Sequence, residues 1–268
     1  MKTEIKYLSD YIDSLQSRGQ YFFLRKSVSA VFKNKKKAAI DVAFYRLSKI
    51  GRIARVRHDF YVIIPLEYQS IGCLPASWFI DSLMQYLNAP YYVALLSAAG
   101  IYGASHQQVM TFQVMTNKMM RPIQIKNVRI DFYYQKHIYT SFLNPVKTET
   151  GKMQVSDPEM TACDLIKYFH ASGQIHNVAT VLSELKENLS IEKLTRYFQI
   201  NRVGIVYAQR LGYLLDYLEL ELDTTPLHQW LQTQKYEYRS LVMGSTTDVF
   251  EKNKRWHILV NEKVETDL

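Results

Sequence analysis

The stretch 35–57, KKKAAIDVAFYRLSKIGRIARVR, decides how this chain is read. Asn34, a good N-cap residue, precedes it and Gly51 interrupts it, so 35–50 reads as a helix closed by glycine. Ile40, Ala43, Leu47 and Ile50 recur at helical spacing and form the expected buried stripe. Ala38, Asp41, Val42, Tyr45, Arg46 and Lys49 are left for the opposite face. Lys35, Lys36 and Lys37 crowd the N-terminal end, where the helix macrodipole disfavours cations, so something outside the chain should compensate them. A phosphate backbone would do so. After Gly51, residues 52–57 mix apolar and basic side chains at close to period two, His58-Asp59 makes a turn, and 60–64 reads as the return strand. A regular strand would put Ile53, Arg55 and Arg57 on one face and Ala54 and Val56 on the other. That alternation is imperfect, which leaves room for a bulge.

Working outward, Ile5, Leu8, Ile12 and Leu15 lie on one helical stripe, and Gly19 sits where such a helix would stop, which predicts a helix over 3–18. Residues 21–24 are β-prone, and 25–32 can form a second helix with Val28, Val31 and Phe32 facing inward. Helix, short strand, helix, helix, hairpin is the order of a winged helix-turn-helix, here spanning 1–66. In that fold the N-terminal part of the last helix enters the major groove, and basic residues of the hairpin touch phosphates or probe the minor groove. The expected DNA contacts are Arg25, Lys26, Lys35, Lys36, Lys37, Arg46, Lys49, Arg52, Arg55, Arg57 and His58. Val42 and Tyr45 are candidate base readers, or else pack against another part of the protein.

The charge distribution supports a polyanionic partner. Of the formal +8, residues 1–64 carry 14 Lys+Arg against 5 Asp+Glu, and residues 65–268 carry 19 against 20. Within 25–57 there are eleven basic residues and one acid, Asp41. Each phosphate neutralised by such a surface releases condensed counterions. The bland alternative is a solvated face, or a surface that docks an acidic protein.

A chain of 268 residues exceeds the single-domain mode of roughly 100 to 150, so two domains or one large one are expected. With 47% hydrophobic and 22% charged residues it is neither disordered nor fibrous. Cys73 and Cys163 are far apart, which argues against a disulfide framework or a zinc ribbon and fits a reducing, cytoplasmic setting. The first six residues lack a secretory pattern. Residues 82–117 contain no charged side chain, but the apolar run 91–104 is shorter than the ~20 residues a bilayer requires and is read as buried helix.

Residues 67–77, with Gly72 and Pro75, read as a linker to a larger α+β domain over 78–268, a small sheet with helices. Helices are expected over 78–87 and 91–102, separated by Pro90, and strands over 109–115, 123–125 and 128–134. Asp157 reads as the N-cap of a helix with Pro158 at its first position and Glu159 in its first turn. Further helices are expected over 177–187, 191–198 and 204–220, and a closing strand over 255–261. No phosphate-binding glycine loop, HExxH or GxSxG motif is present, so no enzyme activity and no cofactor are expected. Asp157, Glu159 and Asp164 could bind a metal, although capping explains the first two. A targeted nuclease would need Asp131 and Lys136 joined by a second carboxylate, and Tyr134 occupies that position. His106-Gln107-Gln108 could contact a ligand or a base, or form a polar loop. His170 and His176 cannot share a helix face, and no metal site is expected from them.

The order of several short words then becomes informative: Pro90-Tyr91-Tyr92-Val93-Ala94-Leu95-Leu96-Ser97-Ala98-Ala99, Tyr102-Gly103-Ala104-Ser105-His106-Gln107-Gln108, Ser156-Asp157-Pro158-Glu159-Met160-Thr161-Ala162-Cys163-Asp164-Leu165, Arg210-Leu211-Gly212-Tyr213-Leu214-Leu215 and Trp256 with Leu259-Val260-Asn261. Behind a basic winged helix, this order resembles the AbiEi family of antitoxins from type IV toxin–antitoxin and phage-defence systems. The resemblance covers nearly the full chain. It implies a non-enzymatic autorepressor whose N-terminal domain binds inverted repeats in its own promoter. Its C-terminal domain would counter a co-encoded nucleotidyltransferase toxin, with which it need not form a stable complex. The family's wing turn commonly contains glycine, and His58-Asp59 departs from that. The rival readings are a winged-helix-targeted nuclease and a protein-interaction module.

Overall fold

The computed structural model describes residues 5–104, 111–201, 204–244 and 248–266. Two compact units interleave along the sequence: Met1–Tyr92, Met110–Ile138 and Pro145–Gln154 in the first, and Val93–Val109, Tyr139–Asn144 and Val155–Leu268 in the second.

In the first unit, helix α1 (Leu8–Gln16) starts where the Asp10 carboxylate accepts the backbone N–H groups of Lys6 at 3.1 Å and Tyr7 at 2.9 Å. Those two bonds satisfy donors that a helix start leaves open, so the helix begins later than residue 3 and Ile5 stays exposed outside it. Strand β1 (Phe22–Leu24) leads directly into α2 (Arg25–Val31), which buries Val28 and, just past its end, Phe32. Val31, expected inside, faces out. Helix α3 (Lys37–Lys49) is preceded by Lys36 in the capping position, not Asn34, which lies in the turn before it.

The buried stripe of α3 is Ile40 and Phe44, flanked by the partly buried Ala43 and Leu47. Phe44 takes the place expected for Ile50, because its ring packs 6.0 Å from Phe23 and 4.8 Å from Tyr61. Ile50 follows the last helical residue, leaves the stripe and is 67% exposed. Strands β2 (Ile53–Arg57) and β3 (Phe60–Ile63) form an antiparallel hairpin, and β1 adds to β3, giving the sheet order β1-β3-β2. A bulge lies between Arg55 and Arg57. It lets Ile53 and Val56 both enter the core while Arg55 points to solvent.

Residues 67–77 are not a free tether. Short 3-10 turns at Leu66–Tyr68 and Ala76–Trp78 flank Cys73 and Leu74, which are completely buried. The Trp78 ring meets Tyr21 at 5.1 Å and Tyr68 at 5.3 Å, which fastens the segment within the first unit.

The apolar run 91–104 is not one helix. After α4 (Ile80–Tyr86), it splits into strand β4 (Tyr91–Val93) and helix α5 (Leu95–Ile101). With β5 (Phe112–Thr116), β6 (Ile123–Ile125), β7 (Val128–Tyr134), β8 (Leu143–Thr148) and β9 (Gly151–Ser156), β4 builds a six-stranded sheet in the order β6-β7-β5-β4-β9-β8, larger than expected. Tyr91, Tyr92 and Val93 are all buried, and a strand buried on both faces reads as a continuous apolar run that periodicity cannot tell from helix. Strands β5 and β7 run parallel from Phe112 opposite Ile130 to Thr116 opposite Tyr134. Strand β8 escaped sequence reading because it carries Pro145, which lacks a ladder donor and is tolerated at a sheet edge.

The second unit is mostly helical: α6 (Pro158–Lys167), α7 (Gln174–Leu185), α8 (Ile191–Ile200), α9 (Ile205–Tyr217) and α10 (Thr225–Gln232). Asp157 caps α6 as expected, its carboxylate accepting the Met160 N–H at 2.8 Å. A second sheet, β10-β12-β11, joins β10 (Arg239–Ser240), β11 (Glu251–Asn253) and β12 (Ile258–Val260). The closing strand is shorter than expected, because 254–257 form the turn that drives Trp256 into the core. Gly212 on α9 admits that ring: a Cβ there would lie 2.3 Å from it. Trp256 donates its indole N–H to Asp216 at 2.6 Å, and the Gln209 amide donates to the carbonyls of Trp256 and Glu237, both at 3.0 Å. Asn261 closes the junction by accepting from the Val242 N–H at 3.0 Å and donating to its carbonyl at 2.9 Å. The segments around 210–215 and 256–261 are thus one packing unit. Among the described residues, no helix is long and apolar enough to cross a membrane.

Candidate nucleic-acid interface

The thirteen residues expected to meet DNA separate into two groups once their neighbours are known. Four of the cations are engaged within the protein. The Arg25 guanidinium pairs with Asp41 and lies 4.9 Å over the Phe44 ring, tying α2 to α3. The Lys35 ammonium donates to the Lys6 carbonyl and sits above the rings of Tyr7 and Phe32, at 5.2 and 5.0 Å. Arg52 reaches the Ile64 carbonyl at 3.0 Å and the Asp13 carboxylate at 2.7 Å, joining α1 to the base of the hairpin. Arg57 donates to the Arg121 carbonyl at 3.0 Å.

The other nine point outward. Lys26, Lys36, Lys37, Arg46, Lys49, Arg55 and His58 are exposed, and none has a side-chain hydrogen bond or ion pair among the described residues. Val42 and Tyr45 stand on the same face of α3, 47% and 66% exposed. Because Asp41 is taken by Arg25, the one acid of the basic block is already neutralised and leaves the lysines and Arg46 uncompensated. Lys33, also exposed and without such a partner, belongs with this group; its place inside the eleven-cation block was the signal for it.

The hairpin tip is held without glycine. Asp59 accepts the Lys26 backbone N–H at 3.2 Å through its carboxylate and the Arg25 N–H at 2.9 Å through its carbonyl. Neither His58 nor Asp59 adopts a positive φ, so the turn needs no left-handed residue, and the departure from a glycine-containing wing turn costs no strain.

The other candidates do not assemble into reactive sites. Asp157 is the helix cap already described, and burial raises its pKa to about 6. Glu159 accepts the Ser190 backbone N–H at 2.9 Å at the start of α8. No group of three or more His, Cys, Asp or Glu among the described residues is placed to hold a metal. Asp131 on β7 pairs with Arg129 at 2.9 Å. His170 faces Gln174, and His176 faces Glu262, so the two histidines serve separate contacts. His106, Gln107 and Gln108 lie outside the described residues.

Residues 92–217 match the sequence model of the AbiEi antitoxin C-terminal domain. The span includes the segments around 92–99, 156–165 and 210–215. No curated protein sequence matches. Among solved structures, the crystal structure of the RV2827C protein from Mycobacterium tuberculosis is similar, with a TM-score of 0.67 at 14% identity over 93% of this chain and 89% of that chain. At that identity the likeness is one of fold.

Proposed function

We propose, from the premise that residues 92–217 are an AbiEi antitoxin C-terminal domain, that the chain is an antitoxin that also represses its own operon. The antitoxin role follows from the domain. The repressor role is read from the first 66 residues, taken as a winged helix-turn-helix. The observation that carries it is the outward face of α3, where Lys36, Lys37, Arg46 and Lys49 surround Val42 and Tyr45 without side-chain partners among the described residues. Placed in a major groove, the lysines and Arg46 meet phosphates and set the register, while Val42 and Tyr45 face base edges, a valine suiting a thymine methyl. Arg55 and His58 on the hairpin reach the flanking backbone. The operator would be inverted repeats in the chain's own promoter, and the counterpart a co-encoded nucleotidyltransferase toxin met in the cytoplasm, with no stable complex required. The chain itself performs no catalysis in this reading.

The test is binding of the full chain to DNA upstream of its own gene, against random duplex, over a salt series. Sequence-selective binding whose log affinity falls by about 0.9 per log unit of salt for each phosphate contacted is the expected result. Salt-insensitive binding, or no preference for the upstream DNA, removes the repressor half and makes this face a protein-docking surface. Cleavage of that DNA dependent on a divalent metal would support the nuclease reading instead. A Lys36→Ala/Lys37→Ala/Arg46→Ala variant should lose repression yet still protect cells that express the toxin, because the antitoxin half lies elsewhere in the chain.

A further inference from the structure

Arg210 on α9 is a buried cation that no acid among the described residues balances. It is only 3% exposed, and its Nε and Nη2 both donate to one backbone carbonyl, that of Ser240, at 3.1 and 2.9 Å. A guanidinium carries five N–H groups, so this carbonyl leaves most of them unused. No carboxylate pairs with Arg210 among the described residues, and another cation, Arg239, acts on it. Burial pushes its pKa down, Tyr207 opposes that, and Arg239 adds to it. Burying an unpaired charge beside a like charge is costly, and such an arrangement persists where a ligand completes it.

Arg210 lines a cavity of about 610 Å³ in the second unit, together with Gln209, Lys235, Tyr236, Arg239 and Ser240. The volume falls in the range of small-molecule sites, roughly 300 to 1,000 Å³. Among the described residues, three cations face this space against one acid, Glu237, which pairs with Arg239 at 3.5 Å and is largely exposed. The surplus of two positive charges matches a dianion, and two guanidinium groups match the geometry of phosphate oxygens better than a single carboxylate would require. Tyr236 adds an aromatic wall whose ring packs 4.7 Å from that of His257.

We propose that the cavity between α9 and the segment 235–244 binds a phosphate-bearing small molecule, its phosphate held by Arg210, Arg239 and Lys235 and its organic part lying along Tyr236. The site is distinct from the basic face of α3 and does not depend on DNA binding.

The experiment is calorimetric titration of the full chain with AMP, inorganic phosphate and acetate at low ionic strength. Because the α3 face also attracts anions, the Lys36→Gln/Lys37→Gln variant is titrated alongside. AMP is expected to bind, acetate not, and the α3 variant should bind AMP as the unaltered chain does. Lys235→Gln/Arg239→Gln, at two exposed positions, should weaken AMP at least 10-fold, and Arg210→Lys, which keeps the charge but loses the planar fork, several-fold. AMP binding tighter than phosphate supports the Tyr236 wall as part of the site; equal binding supports a site for phosphate itself. No AMP or phosphate binding at millimolar concentration, or binding that survives Lys235→Gln/Arg239→Gln, overturns the proposal.

Discussion

Helices α3 and α9 have the same length, 13 residues, and opposite surroundings. Along α3 only Ile40 and Phe44 are buried, and its free face carries cations that nothing among the described residues neutralises. Along α9 eight consecutive residues, Ala208 to Leu215, are buried, and Gln209 and Arg210 donate to backbone carbonyls of the turn and strands around it. The contrast teaches where substitution should be felt as reduced stability and where as reduced binding. In α9 each side chain supports its neighbours, whereas in α3 a narrow stripe holds the helix and the rest is available to a partner.

The largest effect that would sharpen this contrast is expected from Gly212→Ala. The new methyl would meet the buried Trp256 ring at 2.3 to 2.5 Å, and neither the ring nor α9 has room to yield. Overpacking of this kind costs about 1–3 kcal/mol or more, which urea unfolding would read as a lower midpoint. An unchanged midpoint would mean that Trp256 is free to shift. The folded fraction of that variant should bind DNA normally.

Next comes the opposite behaviour in α3. Lys36→Ala/Lys37→Ala/Arg46→Ala should leave the unfolding midpoint nearly unchanged, since exposed sites without partners contribute within about 0.5 kcal/mol. The same variant should reduce the salt slope of DNA affinity by about 0.9 for each phosphate that is no longer neutralised. A large drop in stability with an unchanged slope would reverse the roles assigned to these cations.

A finer split runs through the hairpin. Arg55→Ala should weaken binding to all duplexes, whereas Arg57→Ala, whose guanidinium is occupied by the Arg121 carbonyl, should weaken it less. Arg52→Ala should lower thermal stability instead, because it severs the link from the hairpin to Asp13 and Ile64. Equal weakening of binding by the Arg55 and Arg57 changes would show that the Arg121 hydrogen bond gives way on DNA.

A separate test is one of pH. The Asp157 carboxyl titrates near 3.8 when unfolded and is raised to about 6 in the folded protein by burial. Between those values the folded state holds a proton that the unfolded state has released. The stability from this group is therefore complete below about pH 4 and is lost as pH rises through 6. Asn caps a helix as well as Asp does and does not ionise, so Asp157→Asn should remove this part of the decline. Melting temperatures of both proteins between pH 4 and 7 would run parallel if burial had no such influence.

The hairpin was legible from Gly51 and the His58-Asp59 turn, the strand 123–125 from its alternation, and the start of α6 from Asp157 and Pro158, and the structure has each of them. Sequence reading failed where burial was two-sided or where a proline intervened, at Tyr91–Val93 and Leu143–Thr148. For the basic face, composition identified the cations but not their employment. Nothing in the order of residues says that Arg52 reaches back to Asp13, or that Arg57 is held by a carbonyl 64 positions away, since both bonds exist only after the chain has closed on itself. Arg210 was legible only as part of an apolar word; its missing counterion emerges from three-dimensional neighbours.

The strand register also sets an order of events during synthesis. The sheet β1-β3-β2 draws all its strands from residues 22–63, so it can close soon after that stretch leaves the ribosome. Strand β4 must wait, because Val93 pairs with Val155. At translation speeds of about 5–20 residues per second, the stretch between Ile63 and Val155 takes about 5 to 18 s to appear. A nascent chain would therefore carry the closed sheet beside its basic face before the longer-range pairing of the domain matched at 92–217 can form.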